Sequence, residues 1–198
     1  MSFRVEQKLY IKKENLFDFK SFLNKKSAKG IHEPRIIESL YFDNQNFDTY
    51  TDSIEGLTPR KKIRVRTYPN HSDERIYFEI KNSSVEGRFK KREVIDNQGF
   101  AKVREQGVFD NQYGLCVPKM YVKYEREYLR LENVRISIDT NITYRSYDTN
   151  FIAKDDRVIA ELKTSIKKNM DELTMRDQEI SRNRKPIAPT NWTRGSIV

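Results

Sequence analysis

Cysteine is nearly missing. A single residue, Cys116, excludes an internal disulfide and any zinc cluster built from several thiolates, and it suits a reducing cytosol. Histidine is almost as scarce: His32 and His71 each lie close to an acidic residue in polar, loop-like sequence and read as solvated surface. That leaves no histidine-centred triad and no multi-histidine metal site, so the chemistry rests on Lys, Arg and carboxylates. No apolar run approaches the ~18–20 residues of a membrane span, and the opening Met1-Ser2-Phe3-Arg4-Val5-Glu6 lacks the apolar stretch of a signal peptide, so a soluble cytoplasmic chain is expected. There is no internal repeat, low-complexity tract or Pro/Gly-rich linker, and 198 residues fit one domain over 1–198.

What is abundant is charge. Charged residues make up 34% of the chain against 36% hydrophobic, and 38 Lys+Arg against 29 Asp+Glu give a net charge of +9. With 12% aromatics and many short Ile/Val/Tyr/Phe runs the chain is too apolar in patches for disorder, and its cationic excess favours an anionic partner: nucleic acid, an acidic membrane surface or a phosphate compound.

The recurrent pattern is alternation with period two, which predicts strands whose two faces meet different surroundings. At 3–11, Phe3, Val5, Leu9 and Ile11 oppose Arg4, Glu6, Lys8 and Tyr10; at 62–68, Ile63 and Val65 oppose Lys62, Arg64 and Arg66. At 75–81, Ile76, Phe78 and Ile80 oppose Arg75, Tyr77, Glu79 and Lys81. Downstream, Val134, Ile136 and Ile138 oppose Arg135, Ser137 and Asp139, and Val158, Ala160 and Leu162 oppose Glu161 and Lys163. Residues 38–43, 88–95 and 120–130 complete about eight strands. Helices are expected at 14–26, with Leu16, Phe19, Phe22 and Leu23 on one stripe, and at 170–181, with Met170, Leu173 and Ile180. Taken alone, each charged face reads as the solvated side of an antiparallel sheet. The repeated pairs Glu6/Lys8, Glu79/Lys81 and Glu161/Lys163 go further and fit a mainly β (α+β) fold in which eight antiparallel strands close into a barrel, charged faces inward and helices flanking.

The ordered set Glu6-x-Lys8, Ser39-Leu40-Tyr41-Phe42-Asp43, Arg64-x-Arg66, Glu79-Ile80-Lys81, Lys90-x-Arg92, Tyr124-x-Arg126, Arg135-Ile136-Ser137-Ile138-Asp139 and Glu161-Leu162-Lys163 resembles the VTC domain, the polyphosphate-polymerase branch of the triphosphate tunnel metalloenzymes and a relative of the CYTH proteins. The resemblance implies an eight-stranded tunnel binding a triphosphate and Mn²⁺ or Mg²⁺. In it Arg64, Arg66, Lys81, Lys90, Arg126 and Arg135 would be catalytic phosphate contacts, Lys8, Arg92, Lys163 and Arg182 further substrate contacts, and Glu161 and Glu6 the metal ligands. On the residues alone other roles stay open. Arg64 and Arg66 could lie on an exposed edge strand, Lys81 and Lys90 in surface ion pairs, and Glu161 in a cross-strand ion pair with Lys163 or another lumen cation, while Glu6 could serve to orient Lys8. Two positions depart from the relatives: Arg4 stands where CYTH proteins have a first-strand Glu, and Ser181-Arg182-Asn183, with Lys185 nearby, stands where the VTC pattern has Ser-Lys-aromatic.

Three functions follow. The first is transfer of the ATP γ-phosphate to a polyphosphate chain, with a membrane protein as a separate partner receiving the product at the inner face of a membrane. The second is triphosphate hydrolysis, against which the loss of a carboxylate at Arg4 counts. The third is a non-catalytic module for polyphosphate or single-stranded nucleic acid. Nucleic acid is disfavoured, because most Phe residues fall on apolar faces instead of interleaving with the cations as stacking platforms would.

Overall fold

The computed structural model describes residues 5–72 and 74–164. Arg4, the expected 170–181 helix, Arg182 and Lys185 lie outside them. In chain order the elements are β1 (Val5–Lys12), a 3-10 turn (Lys13–Asn15), α1 (Leu16–Lys25), β2 (Lys29–Asp43), α2 (Asp48–Glu55), β3 (Arg60–Thr67), β4 (Ile76–Ser84), β5 (Gly87–Ile95), α3 (Asn97–Gln106), β6 (Val108–Asp110), β7 (Gly114–Leu131), β8 (Val134–Ser146), β9 (Ile152–Asp155) and β10 (Arg157–Thr164). The strands form one sheet in the order β1-β10-β8-β7-β2-β3-β4-β5, with β6 on β7 and β9 on β8. Eight strands on the main path match the expected number. The expected closure is not seen: among the described residues β1 and β5 stand at the two ends of the path. Alternation fixes which face a side chain takes but carries no information about whether the first and last strands meet, which depends on strand tilt and stagger.

Residues cluster into two compact units whose boundaries, among the described residues, fall inside β2, β7, β8 and β9. The first unit, described over 5–36, 124–142 and 154–164, is built on the apolar faces of β1, β8 and β10. Ile11, Val134, Ile136, Ile138, Val158, Ala160 and Leu162 pack there with Phe19 and Leu23 of α1, and Leu16 and Phe22 close the rim. The stripe read from the sequence is therefore the buried side of that helix, which Lys20 also ties to Glu127 of β7 by an ion pair.

The second unit, described over 37–123 and 143–153, packs Leu40 and Phe42 of β2 and Ile63 and Val65 of β3 against Tyr113 and Cys116, with Phe100 and Val103 of α3 half-buried on the same cluster. Two helices here escape a periodicity reading because each is short and polar. α3 starts where the Asp96 side chain accepts from the Gly99 amide at 2.7 Å. α2 follows a polar knot in which Asp43 accepts from the amides of Thr49 (3.0 Å) and Tyr50 (2.9 Å). Strands β6 and β9, three and four residues long, are too short to show a period.

Candidate functional site

Each unit carries one charged sheet face, and the two differ in balance. In the second unit the register of β2, β3, β4 and β5 aligns three rows: Ser39, Arg66, Tyr77 and Val94; then Tyr41, Arg64, Glu79 and Arg92; then Lys62, Lys81 and Lys90. Six cations thus share these rows with one carboxylate. β3 is an interior strand, so Arg64 and Arg66 are 6% and 8% exposed and the edge-strand alternative for them falls. The edge is β5.

Glu79, 1% exposed, organises the face. Its Oε2 accepts from Arg64 Nε (2.8 Å) and Nη2 (2.6 Å), and its Oε1 lies 2.5 Å from Lys90 Nζ and 3.2 Å from Arg92 Nε. Burial alone would raise its pKa, but Arg64, Lys90 and Arg66 pull it down to about 2. Arg64 donates onward from Nη1 to the Tyr41 hydroxyl at 2.9 Å, and Arg66 from Nε to Ser39 Oγ at 3.1 Å. Arg92 donates to the Tyr68 hydroxyl at 3.2 Å and lies over the Tyr77 ring at 3.4 Å from its centroid. Hydrogen bonds and ring contacts fix where these guanidinium groups point, while one buried carboxylate offsets only part of their charge. Such a face has the chemistry that a multiply charged anion would need.

The first unit's face is more evenly charged. Glu6 stands opposite Lys163 and Lys163 opposite Arg135, while Lys8 stands opposite Glu161 and Glu161 opposite Ser137. Lys163 Nζ lies 3.4 Å from Glu6 across the strands and 3.1 Å from Glu161 two residues away on β10, so the Glu161–Lys163 pairing that the sequence left open forms along one strand. Burial pushes the Glu161 carboxyl up, and Lys163, Lys8 and Arg126 more than reverse it, so it titrates below its ordinary range. Arg126 is gripped at both ends by Asp139, Nε to Oδ1 and Nη2 to Oδ2, each at 2.6 Å. That carboxylate overcomes the cost of burying Arg126 and raises its pKa above the ordinary value. Arg135 is exposed.

Among the described residues no three His, Cys, Asp or Glu side chains gather into a metal cage. Glu6 and Glu161 are two carboxylates on neighbouring strands, a donor set that fits a Mg²⁺- or Mn²⁺-type ion held jointly with substrate phosphates and does not fit a fully protein-ligated one.

Of the residues read from the sequence, Arg64, Arg66, Lys81, Lys90 and Arg92 come together in the second unit, and Lys8, Glu6, Arg126, Arg135, Glu161 and Lys163 in the first. His32 lies within β2, exposed and edge-on to Tyr128, instead of in a loop. The site assignment missed Glu79, Lys62, Tyr41, Tyr77 and Asp139. All five sit at alternating positions of recognised strands, but only the register across strands shows what each one touches.

A family model described as the VTC domain matches residues 3–185. The chain belongs to the VTC domain family. This VTC domain is 30% identical over 158 residues to vacuolar transporter chaperone complex subunit 4 of Schizosaccharomyces pombe, a match covering 61% of the chain and 22% of that protein, so the chain spans only about a fifth of the relative's length. The fold is shared with a candidate adenylate cyclase of Bacillus halodurans, with a TM-score of 0.61, 14% identity, and coverage of 96% of this chain and 97% of the other. It is also shared with HpAC1 from Hippeastrum, described as having a dominant triphosphatase activity, with a TM-score of 0.56, 15% identity, and coverage of 94% and 93%. No helix among the described residues of this VTC domain is long and apolar enough to cross a membrane.

Proposed function

We propose that this VTC domain is a phosphotransferase of the ATP:polyphosphate type. The observation that carries the reading is the second unit's basic face, where Lys62, Arg64, Arg66, Lys81, Lys90 and Arg92 surround one buried carboxylate. A triphosphate carries about four negative charges whose hydration must be replaced, and charge-assisted hydrogen bonds of about 1.5–3 kcal/mol each make several cations the appropriate answer. Arg66 offers phosphate oxygens a planar guanidinium, Arg64, held on Glu79 through Nε and Nη2, adds its charge, and Lys81 and Lys90 supply point charge. In the first unit, Glu161 and Glu6 would hold a divalent cation, which would supply the charge neutralisation that phosphoryl transfer draws on.

An acceptor phosphate is already an anion at neutral pH and needs no strong base. Neither charged face contributes a histidine among the described residues. Positioning and charge neutralisation then supply most of the rate, as phosphoryl transfer in general allows. The likeness to a subunit of a vacuolar transporter chaperone complex supports work beside a membrane-protein partner that takes the product.

Incubation with ATP and Mn²⁺ tests the reading. The expected outcome is ADP together with a chain-length ladder of polyphosphate, formed sooner when a short polyphosphate primer is present. ADP and orthophosphate without a ladder would instead assign a triphosphate hydrolase. No ADP, with tight binding of preformed polyphosphate, would assign a binding module.

A further inference from the structure

Tyr41 is among the residues that this reading leaves unused. It is half-buried on the basic face, directly across from Arg64 in the β2/β3 ladder, with Lys62 and Arg66 at the diagonal positions of β3. Its oxygen accepts from Arg64 Nη1 at 2.9 Å, and the Arg64 guanidinium carbon lies 5.7 Å from the ring centroid. We propose that Tyr41 is a further ligand-contacting residue of the basic face, and that its phenol takes up a proton from solvent when a phosphate chain binds. The coupling rests on the triphosphate reading above.

The surroundings of the phenol supply the argument. From β3 it meets Arg64, Arg66 and Lys62. From β4 the nearest acid in the rows is Glu79, which is held by Arg64, Lys90 and Arg92. On its own strand Ser39 is bonded to Arg66, and Asp43 accepts from the Asn44, Thr49 and Tyr50 amides. On β7, the other neighbour of β2, the charged residues within this unit are Lys119, set over the Phe47 ring at 4.9 Å, and the exposed Lys123. The phenol is therefore an acid in cationic surroundings. Burial opposes its ionisation, but Arg64, Arg66 and Lys62 win and bring its pKa down to about 7.

An arriving phosphate chain reverses that field. The phenolate is repelled, an O–H bond forms with a proton drawn from water, and the neutral hydroxyl donates to a phosphate oxygen while its lone pair still accepts from Arg64. Binding and proton uptake become one equilibrium, so affinity weakens above neutral pH, where Tyr41 must first be reprotonated.

Two measurements on the whole chain test this. The first needs no ligand: in a pH titration of tyrosinate absorbance, one of the eleven tyrosines should ionise near pH 7 in the wild type and in none of the Tyr41→Phe protein. The second is calorimetry with tripolyphosphate in buffers of different ionisation enthalpy. At pH 8 the wild type should take up close to one proton more per binding event than Tyr41→Phe, and its affinity should fall about tenfold more than the variant's between pH 7 and 8.5. Should Tyr41→Phe fail to fold, the wild type decides alone, because tripolyphosphate added at pH 8 must remove one tyrosine's worth of tyrosinate absorbance. Ionisation of every tyrosine near its ordinary pH, or equal proton uptake by the two proteins, would overturn the proposal. A ligand-free titration in which one tyrosine ionises near pH 7, with no tripolyphosphate binding, would overturn the phosphate reading, and the coupling with it, while leaving the neutral-pH ionisation of Tyr41 standing.

Discussion

Glu79 sets the terms at the scale of single residues, because it is the carboxylate that lets Arg64, Lys90 and Arg92 share one sheet face without ligand. Replacing it with Gln keeps the shape and removes the charge, so the three cations repel one another and Arg64 loses a two-bond anchor. We expect Glu79→Gln to lose on the order of 3 kcal/mol of stability at pH 7, the scale of breaking a buried pair. Tripolyphosphate should restore more of the melting temperature in this variant than in the wild type, since the added anion does the work of the missing one. Thermal melts with and without tripolyphosphate check this, and equal melting of the two ligand-free proteins would show that Glu79 is not the organising group. The pH dependence has a definite sign. The pKa of Glu79 in the fold, about 2, lies below its ordinary 4.5, so its contribution is complete above about pH 4.5 and fades as the pH falls toward 2. Glu79→Gln should therefore flatten the acid limb of the stability curve.

Strands and helices were legible to the degree that their side chains alternate. The stretches at 62–68, 75–81, 88–95 and 158–163 fall on β3, β4, β5 and β10 nearly end to end. β2, by contrast, runs from Lys29 although its alternation is plain only from about Leu40, because residues 29–36 are largely exposed and their side chains need not sort by polarity. The α3–β6 turn depends on backbone geometry that no hydrophobic pattern records. Gly107 has φ +75° and ψ −169°, a region almost closed to other residues, and a Cβ there would come within 2.7 Å of the Cys116 carbonyl oxygen. Gly107→Ala should lose at least the 1–3 kcal/mol typical of such strain, measured by urea unfolding, whereas Ala at Gly30, where a Cβ meets nothing within 4 Å, should cost far less. The Asp43 knot gives a graded case. Asp43→Ala strands the Thr49 and Tyr50 amides and should lose about 1–3 kcal/mol, while Asp43→Asn, which keeps one accepting oxygen, should lose less.

For the molecule as a whole, the family could be read from an ordered series of two- and three-residue motifs, none of them specific alone, and the structure places the cations of those motifs on two charged faces. The division of labour between the faces could not be read that way. Arg126 reads like Arg64 in sequence, yet Asp139 holds it at both ends of its fork, while Arg64 shares its carboxylate with Lys90 and Arg92. Partner counts of that kind depend on cross-strand register, which a one-dimensional pattern does not contain. The net charge of +9 raises a further question, whether polyanions answer to the organised face or to the charge of the whole surface. Paired substitutions of equal charge separate the two. Arg66→Ala removes a buried cation aligned by Ser39, and Lys102→Ala removes an exposed one on α3. A ligand at a hundred times its dissociation constant stabilises a protein by about 2.7 kcal/mol, which for a chain of this size moves the melting temperature by roughly 5–11 °C. If the face is the site, tripolyphosphate should keep that shift in Lys102→Ala and lose most of it in Arg66→Ala, at an ionic strength high enough to screen diffuse attraction. Equal loss in both variants, vanishing together with added salt, would mean that the +9 acts as a diffuse field and that the rows of Arg and Lys hold no ligand of their own.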